Sequence, residues 1–271
     1  MKPRLSISIV LYRTAVADIR ACMESLARYP GPTAVHVIDN SPTDALRSEF
    51  ADGQVSYVHL PHNPGFGAGH NVGIAMGRVA GANDHLVLNA DVQFASDVLS
   101  PLIAFMDEHP DVAHVMPLVR NPDGSIQRLC KLVPTPANLL FRRFLPRRAR
   151  DARNRHFELH ESGYDRRMFI PYLSGCFMLL RHAALEEAGT FDERFFMYAE
   201  DIDLTRRLAS RYETLFVPDV SVVHGHGASS RKSLRMFLVH AANVARYFNK
   251  WGWLRDPERD RLNARTLSQF R

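Results

Sequence analysis

The sequence predicts an α/β protein: a mostly parallel sheet with helices on both faces. Three observations predict it. Five short runs of β-branched and aliphatic residues stand within positions 1–119. Segments with helical spacing of apolar residues lie between several of them. Two runs end in an acid, Asp39 and Asp91, the position at which open α/β sheets meet their ligands. Strands that alternate with helices need crossover connections and therefore pair in parallel.

The elements follow in order. LSISIVL (5–11) is short and contains two serines. It has no small-residue cleavage site, so it predicts a buried first strand and not a secretion signal. Positions 16–28 carry Ile19, Cys22, Met23 and Leu26 at helical spacing. AVHVID (34–39) is a second strand, stopped by the turn residues NSPTD. VSYVHL (55–60) is a third strand, and a helix is expected through HNVGIAMGRVA. HLVLNAD (85–91) is a fourth strand. Asp97 is placed to cap a helix ending at Glu108, and VAHVMPLV (112–119) is a fifth strand. NPDGSIQ reads as a turn. Then come one strand, YLSGCFMLL, a helix from His182, and a helix carrying Asp201 to about Arg211. Two short strands (ETLFVP, VSVVH), a loop (GHGASSRK), a helix over 233–250 and a basic tail complete the chain. The expected division is 1–119 for the ligand-binding half, 120–232 for a smaller mixed region, and 233–271 for the terminal helix and tail.

The 271 residues suffice for one large domain or two small ones. A hydrophobic share of 46% with 23% charged residues is ordinary for a soluble globular protein. The net charge of +5 permits an anionic partner. Cys22, Cys130 and Cys176 are odd in number and far apart. That argues against a disulfide framework or a zinc knuckle and fits a reducing cytoplasm. No apolar window approaches bilayer-spanning length, so membrane contact is expected to be peripheral.

Several motifs carry chemistry, each beside a plainer reading. Asp39 either accepts hydrogen bonds from a nucleobase or ribose or shapes an Asx turn. NPGFGAGHNVG (63–73) holds four glycines in eleven residues. They either bring backbone amides to a phosphate or sugar or make a tight strand-to-helix connection. The segment lacks the Walker pattern and the dinucleotide fingerprint. Asp91 at a strand end suits Mg²⁺ or Mn²⁺, which take one or two protein carboxylates and fill the rest with water and phosphate oxygens; otherwise it caps a turn. His224 at another strand end either completes such a site or is structural. In FFMYAEDIDL, aromatics precede Glu200, Asp201 and Asp203. Apolar surroundings raise a carboxylate pKa and make a better base, while a helix N-terminus lowers it. The plainer reading is an acid-rich first turn, with Asp203 and Arg207 as a surface pair. Seven arginines in 142–155 form either a solvated face or a landing surface for anionic lipid, with Phe141, Phe144 and Leu145 interleaved. No nucleic-acid module accompanies them, so no nucleic-acid partner is expected.

Taken in order, these pieces resemble a known family. SIVLYRT, VIDNSP, NPGFGAGHNVGI, LVLNADV, SGCFMLLRHAALEEAGTFDERFFMYAEDIDLTRRL and VVHGHGAS resemble the inverting family 2 glycosyltransferases with the Rossmann-like GT-A fold, closest to the rhamnosyltransferase-type branch. The resemblance implies that Asp201 is the general base and that Asp91 and His224 bind Mn²⁺ or Mg²⁺. It implies a donor side of Asp39, Asn63, Gly65, Gly67, Asn71 and Asn89. It implies an acceptor side of Gly175, Phe196, Tyr198 and Glu200. Asn89 departs from the usual Asp-x-Asp pattern and leaves the metal fewer charges. The implied partners are a nucleotide-sugar donor, with dTDP-L-rhamnose as the expected one, and a glycan or lipid-linked glycan acceptor. The implied setting is surface polysaccharide synthesis on the cytoplasmic face of a bacterial inner membrane. A non-catalytic nucleotide-sugar-binding scaffold is the alternative; a nucleotidyltransferase would leave the Asp201 block without a role.

Overall fold

The computed structural model describes residues 2–51, 53–140, 147–225 and 234–270. The elements of the first half are β1 (Leu5–Leu11), α1 (Val16–Leu26), β2 (Thr33–Asp39), β3 (Val55–His59), α2 (Phe66–Val79), β4 (Asp84–Leu88), β5 (Val92–Gln93), α3 (Leu99–Glu108) and β6 (Val112–Arg120). There follow β7 (Cys130–Lys131), α4 (Pro136–Leu139), α5 (Arg147–Phe157), β8 (Met168–Phe169), β9 (Tyr172–Leu173), β10 (Phe177–Arg181), α6 (His182–Ala188) and α7 (Glu200–Ala209). β11 (Glu213–His224), α8 (Leu234–Trp251) and α9 (Pro257–Ser268) complete them.

One sheet runs in the order β3-β2-β1-β4-β10-β6-β11-β5, with β8 on β11. β1 to β4 pair in parallel. β10 is antiparallel to both β4 and β6, so those two point the same way, and β11 runs parallel to β6. The carboxyl ends of β1, β2, β4 and β11 and the amino end of β10 therefore share one edge. That edge carries the site, as open α/β sheets require.

β1 is buried along most of its length, with Ile7, Ile9 and Leu11 at 1% exposure or less. Its alternate residues, Ser6 and Ser8, face α2. The helix approaches so closely that a Cβ on Gly73 would stand 2.4 Å from Ser8 Cβ, and one on Gly77 would stand 2.1 Å from Ser6 Oγ. No real Cβ tolerates such contacts, so these positions need glycine. The buried hydroxyls are satisfied by histidines in a continuous chain: His182 to Ser6 at 3.1 Å, Ser6 to His85 at 2.7 Å, His85 to Ser8 at 2.8 Å and Ser8 to His70 at 2.6 Å. Asp97 does start α3, accepting from the amides of Leu99 and Ser100.

Four expectations change. YLSGCFMLL is two strands, broken at Ser174–Cys176 where the chain crosses the site. ETLFVP and VSVVH are one strand, β11, whose register shifts between Val217 and Ser221. The basic tail contains α9, started by the Asp256 carboxylate on the Arg259 amide with Pro257 in the first turn, the usual way to begin a helix. Asp203 is not part of a surface pair. It is fully buried, and its carboxylate accepts from Arg207 (2.9 Å), Lys250 (2.7 Å) and the Trp251 indole (2.8 Å), tying α7 to α8. All three cysteines are free and buried.

Along α5, Arg147, Arg148, Arg153 and Arg155 lie exposed, as a solvated face would. Phe141, Phe144 and Leu145, together with the loop residues His226 and Gly227, lie outside the described residues. Among the described residues no helix is long and apolar enough to cross a membrane.

Candidate active site

The segment 195–201 delivers the acids. Tyr198 (φ 70°) and Ala199 (φ 72°) both adopt left-handed backbone immediately before α7. Two successive non-glycine residues there are strained, and such strain concentrates at functional sites. Three contacts hold the loop. The Phe196 carbonyl accepts from the Phe66 amide at 3.0 Å. The Met197 carbonyl accepts from Asn243 at 2.7 Å. The Tyr198 ring meets His240 edge-on. Phe191 and Phe195 are core residues, at 3% and 1% exposure. They anchor the loop in the core; Phe196 and Tyr198 remain half-buried.

Glu200 is 5% exposed, and one of its carboxylate oxygens has no hydrogen-bond partner. Burial, reinforced by the Asp201 charge, pushes its pKa up to about 8. Asp201 is half-buried. It accepts from the Gly175 amide at 3.1 Å and the Ile202 amide at 2.8 Å. Its pKa is nevertheless raised, because burial outweighs the opposing charge of Lys131 and the backbone amides.

The metal-side residues also meet. Asn89 and Asp91 lie just past the end of β4, in the loop before β5. The Asn89 amide donates to the Cys176 carbonyl at 3.0 Å. The Asp91 carbonyl accepts from the Gly225 amide at 2.8 Å, and Asp91 Oδ1 stands 3.3 Å from His224 Nε2. Asn89 Nδ2 is 3.4 Å from the same nitrogen. On the far side of the ring, His224 Nδ1 lies 3.0 Å from Gln127 Oε1, while Gln127 Nε2 donates to the His224 carbonyl at 2.8 Å. Ser174–Cys176 joins the two clusters: Gly175 holds Asp201, and the next residue holds Asn89. Burial pushes the Cys176 thiol up to about 12, and the Asp91 and Asp201 charges both add to it, so both carboxylates act on this one segment.

The donor-side residues divide. Asp39 is fully buried; its oxygens accept from the Ser41 amide at 2.9 Å and the Tyr57 hydroxyl at 2.6 Å. The Asx turn is therefore present at that strand end. Gly65 (φ 104°) could not carry a side chain, since a Cβ would fall 2.2 Å from the Phe196 carbonyl oxygen. Asn63 (φ 47°) accepts from the Gly65 amide at 3.3 Å. Gly67 makes room for Phe191. Asn71 donates its side-chain amide to the Phe191 carbonyl and to Glu193 Oε1, both at 2.9 Å, and its Oδ1 accepts from the Phe191 amide, which pins the aromatic loop. A cleft of about 430 Å³ between Arg194, Phe195, Arg246, Asn249 and Lys250 contains none of the expected residues.

Asp91 and His224 fit a divalent cation as a two-ligand set. Among the described residues no group of three or more His, Cys, Asp or Glu could hold a metal. Mg²⁺ and Mn²⁺ accept such sparse sites when phosphate oxygens and water complete them. Two residues escaped the sequence reading. Gln127 sits in what reads as a polar turn. Lys131 lies on β7, with its ammonium 5.1 Å from the Tyr172 ring centre.

Comparison with known proteins gives the family and the fold. Residues 6–189 match the family described as glycosyl transferase family 2. An N-acetylglucosaminyl-diphospho-decaprenol L-rhamnosyltransferase of Mycobacterium tuberculosis is 29% identical over 254 residues, covering 84% of this chain and 79% of that protein. Among solved structures, GalNAc-T7 with UDP, GalNAc and Mn²⁺ superposes with a TM-score of 0.66 at 15% identity. It covers 92% of this chain, which spans only 48% of that one. The mannosyltransferase PcManGT of Pyrobaculum calidifontis gives a TM-score of 0.60 at 19% identity over 99% of this chain and 75% of that one. The fold is GT-A, and the chain belongs to the family 2 glycosyltransferases.

Proposed function

We propose that the chain moves L-rhamnose from dTDP-L-rhamnose to a hydroxyl of a lipid-linked glycan, with inversion at the anomeric carbon and with Mn²⁺ or Mg²⁺ at Asp91 and His224. The observation that carries this reading is the Ser174–Cys176 bridge, which links a raised-pKa carboxylate to the Asp91–His224 pair on one sheet edge. The rhamnosyltransferase relative supports the donor and the lipid-linked acceptor. The Mn²⁺ complexes of GalNAc-T7 and PcManGT support the cation.

Each residue then has a task. Asp201 receives the acceptor hydroxyl proton, because its raised pKa makes it a stronger base than an ordinary carboxylate. Glu200, with its pKa near 8, carries its proton at neutral pH and donates a hydrogen bond to orient the acceptor. The half-buried rings of Phe196 and Tyr198 border the acceptor. A bound divalent cation supplies charge stabilisation to the departing diphosphate. Gly65 and Asn63 shape the loop on the donor side, beside Asp39 at the base end. The exposed arginines of α5 offer peripheral contact with anionic lipid.

The test is transfer from dTDP-L-rhamnose to a lipid-linked acceptor, with Mn²⁺, with Mg²⁺ and with chelator. Transfer is expected with either metal and not with chelator. Asp201→Asn should lower kcat by about 10²–10⁴, the usual worth of a general base. Near-normal transfer by that variant overturns the base assignment. Donor binding with no transfer to any lipid-linked glycan instead favours the scaffold reading.

A further inference from the structure

The two faces of the His224 ring are treated differently, and Gln127 is the cause. A carboxamide has one donating end and one accepting end. Its Nε2 must face the His224 carbonyl, which can only accept; the separation is 2.8 Å. The Oε1 end therefore faces Nδ1, at 3.0 Å. An oxygen so placed needs a hydrogen to accept. Asp91 Oδ1 competes for one at Nε2 from 3.3 Å, but the Gln127 contact is the shorter and Asn89 Nδ2 offers its own hydrogen to Nε2, so the proton of the neutral ring sits on Nδ1. The lone pair then lies on Nε2, the atom 3.3 Å from Asp91 Oδ1 and 3.4 Å from Asn89 Nδ2. Asn89 can donate to that lone pair; an aspartate there could not. Gln127 itself is 8% exposed, and its backbone N–H donates to the Val119 carbonyl at 2.9 Å, so the residue is held in place while the His224 carbonyl sets the direction of its carboxamide.

We propose that Gln127 is a positioning residue that fixes the His224 tautomer and ring plane, so that Nε2 presents its lone pair beside Asp91 to a divalent cation. The inference rests on the metal-site reading above. Partners that hold the second nitrogen of a ligating histidine typically govern affinity by about 10- to 100-fold.

The first measurement needs no variant. Long-range ¹⁵N–¹H correlation on the metal-free chain at pH 8 reads the tautomer, with the spectrum of His224→Asn identifying the ring. A proton on Nδ1 is expected; a proton on Nε2 overturns the proposal. The second measurement is Mn²⁺ affinity by paramagnetic resonance, with Mn²⁺ alone and with dTDP. Gln127→Leu should weaken binding about 10- to 100-fold and lose the single tautomer. Gln127→Glu keeps an acceptor for Nδ1 but loses the donor to the His224 carbonyl, so it should keep the Nδ1 proton and weaken binding less than the leucine variant. Wild-type affinity in the leucine variant overturns the proposal, as does equal loss in both variants in step with lost thermal stability. Failure of the wild-type chain to bind Mn²⁺ with dTDP overturns the metal site itself, and that failure is visible apart from the tautomer.

Discussion

Gly175 donates its backbone amide to Asp201 Oδ2 at 3.1 Å across 26 positions of sequence, and no side chain stands between them. A Cβ at position 175 would lie 3.3 Å from Asp201 Cβ and 3.4 Å from Phe66 Cε1. That is tight without being prohibitive, so Gly175→Ala should fold and shift the carboxylate by a few tenths of an ångström. Misplacement on this scale is costly to catalysis, up to about 10²-fold per ångström. We expect kcat to fall about tenfold with KM for donor unchanged and the melting temperature close to that of the wild type. Steady-state kinetics beside a thermal melt decides it. An unchanged kcat would show that Gly175 does not set the base.

Glu200 gives a prediction with a definite sign. Its folded pKa, about 8, exceeds the ordinary 4.5, so between those values the folded chain holds a proton that the unfolded chain has released. Stability from this group is complete below pH 4.5 and is lost as pH rises toward 8. Glu200→Gln mimics the protonated acid. It should raise the melting temperature more at pH 8 than at pH 5 and keep kcat at pH 7 within about threefold, far from the loss of a general base. It should also remove any change in rate centred near pH 8. Equal melting shifts at the two pH values would refute the assignment of the raised pKa.

How much of this was legible depended on separation in sequence. The parallel strands were readable because runs such as Leu5–Leu11 and Val112–Arg120 are buried on both faces and so stay apolar throughout. The acid-bearing helix was readable because its residues are contiguous. Gln127 was not, because its partner His224 is 97 positions away and its own neighbours spell a polar turn. The hold of Asn71 on the aromatic loop was hidden for a similar reason: its partner, Phe191, is 120 positions away. The α9 helix was hidden by composition, since only a few apolar residues such as Leu262 face the core. Its cap, Asp256-Pro257, was nevertheless there to be read. The break at Gly175 was also signalled, by a glycine inside an otherwise continuous strand pattern.

The buried histidines predict acid sensitivity. His70, His85 and His114 are fully buried, and His114 has no hydrogen-bond partner on either ring nitrogen. Burial lowers His70 and His114 from 6.5 to about 3 and His85 well below 6.5. The unfolded chain therefore takes up protons below pH 6.5 that the folded chain refuses, and stability falls as pH drops through that value. Each imidazole contributes about 1.4 kcal/mol per pH unit. Glu200 opposes them with one proton, while burial also lowers His36 and His182, which add to the effect, so the histidines outweigh it and stability falls below pH 6. Urea unfolding at pH 7, 6 and 5 measures it. His114→Leu should flatten the slope by one proton; an unchanged slope would show that this ring is protonated in the folded state.

The C-terminal helices should prove integral to the catalytic fold. Arg206 on α7 is fully buried and meets Asp256 with both terminal nitrogens, at 2.5 and 2.8 Å. Its guanidinium stacks 3.9 Å from the Trp251 ring centre and donates to the Tyr247 hydroxyl at 3.2 Å. Three residues away, Asp203 is held by Lys250 and Trp251. Both contacts belong to the helix that carries Glu200 and Asp201. Asp256→Ala leaves the buried Arg206 cation with only the longer, partly exposed Glu258 contact at 3.3 Å; breaking a buried pair typically costs about 3–5 kcal/mol, and the change also removes the α9 cap. Replacing Arg206 and Asp256 together by Met and Leu should recover much of that loss, because the penalty comes from the unpaired charge and not from a missing attraction. Denaturant titration of the single and double variants separates the two. If Asp256→Ala unfolds at the wild-type midpoint, α9 is an appendage and the anchoring of α7 must come from Asp203 alone.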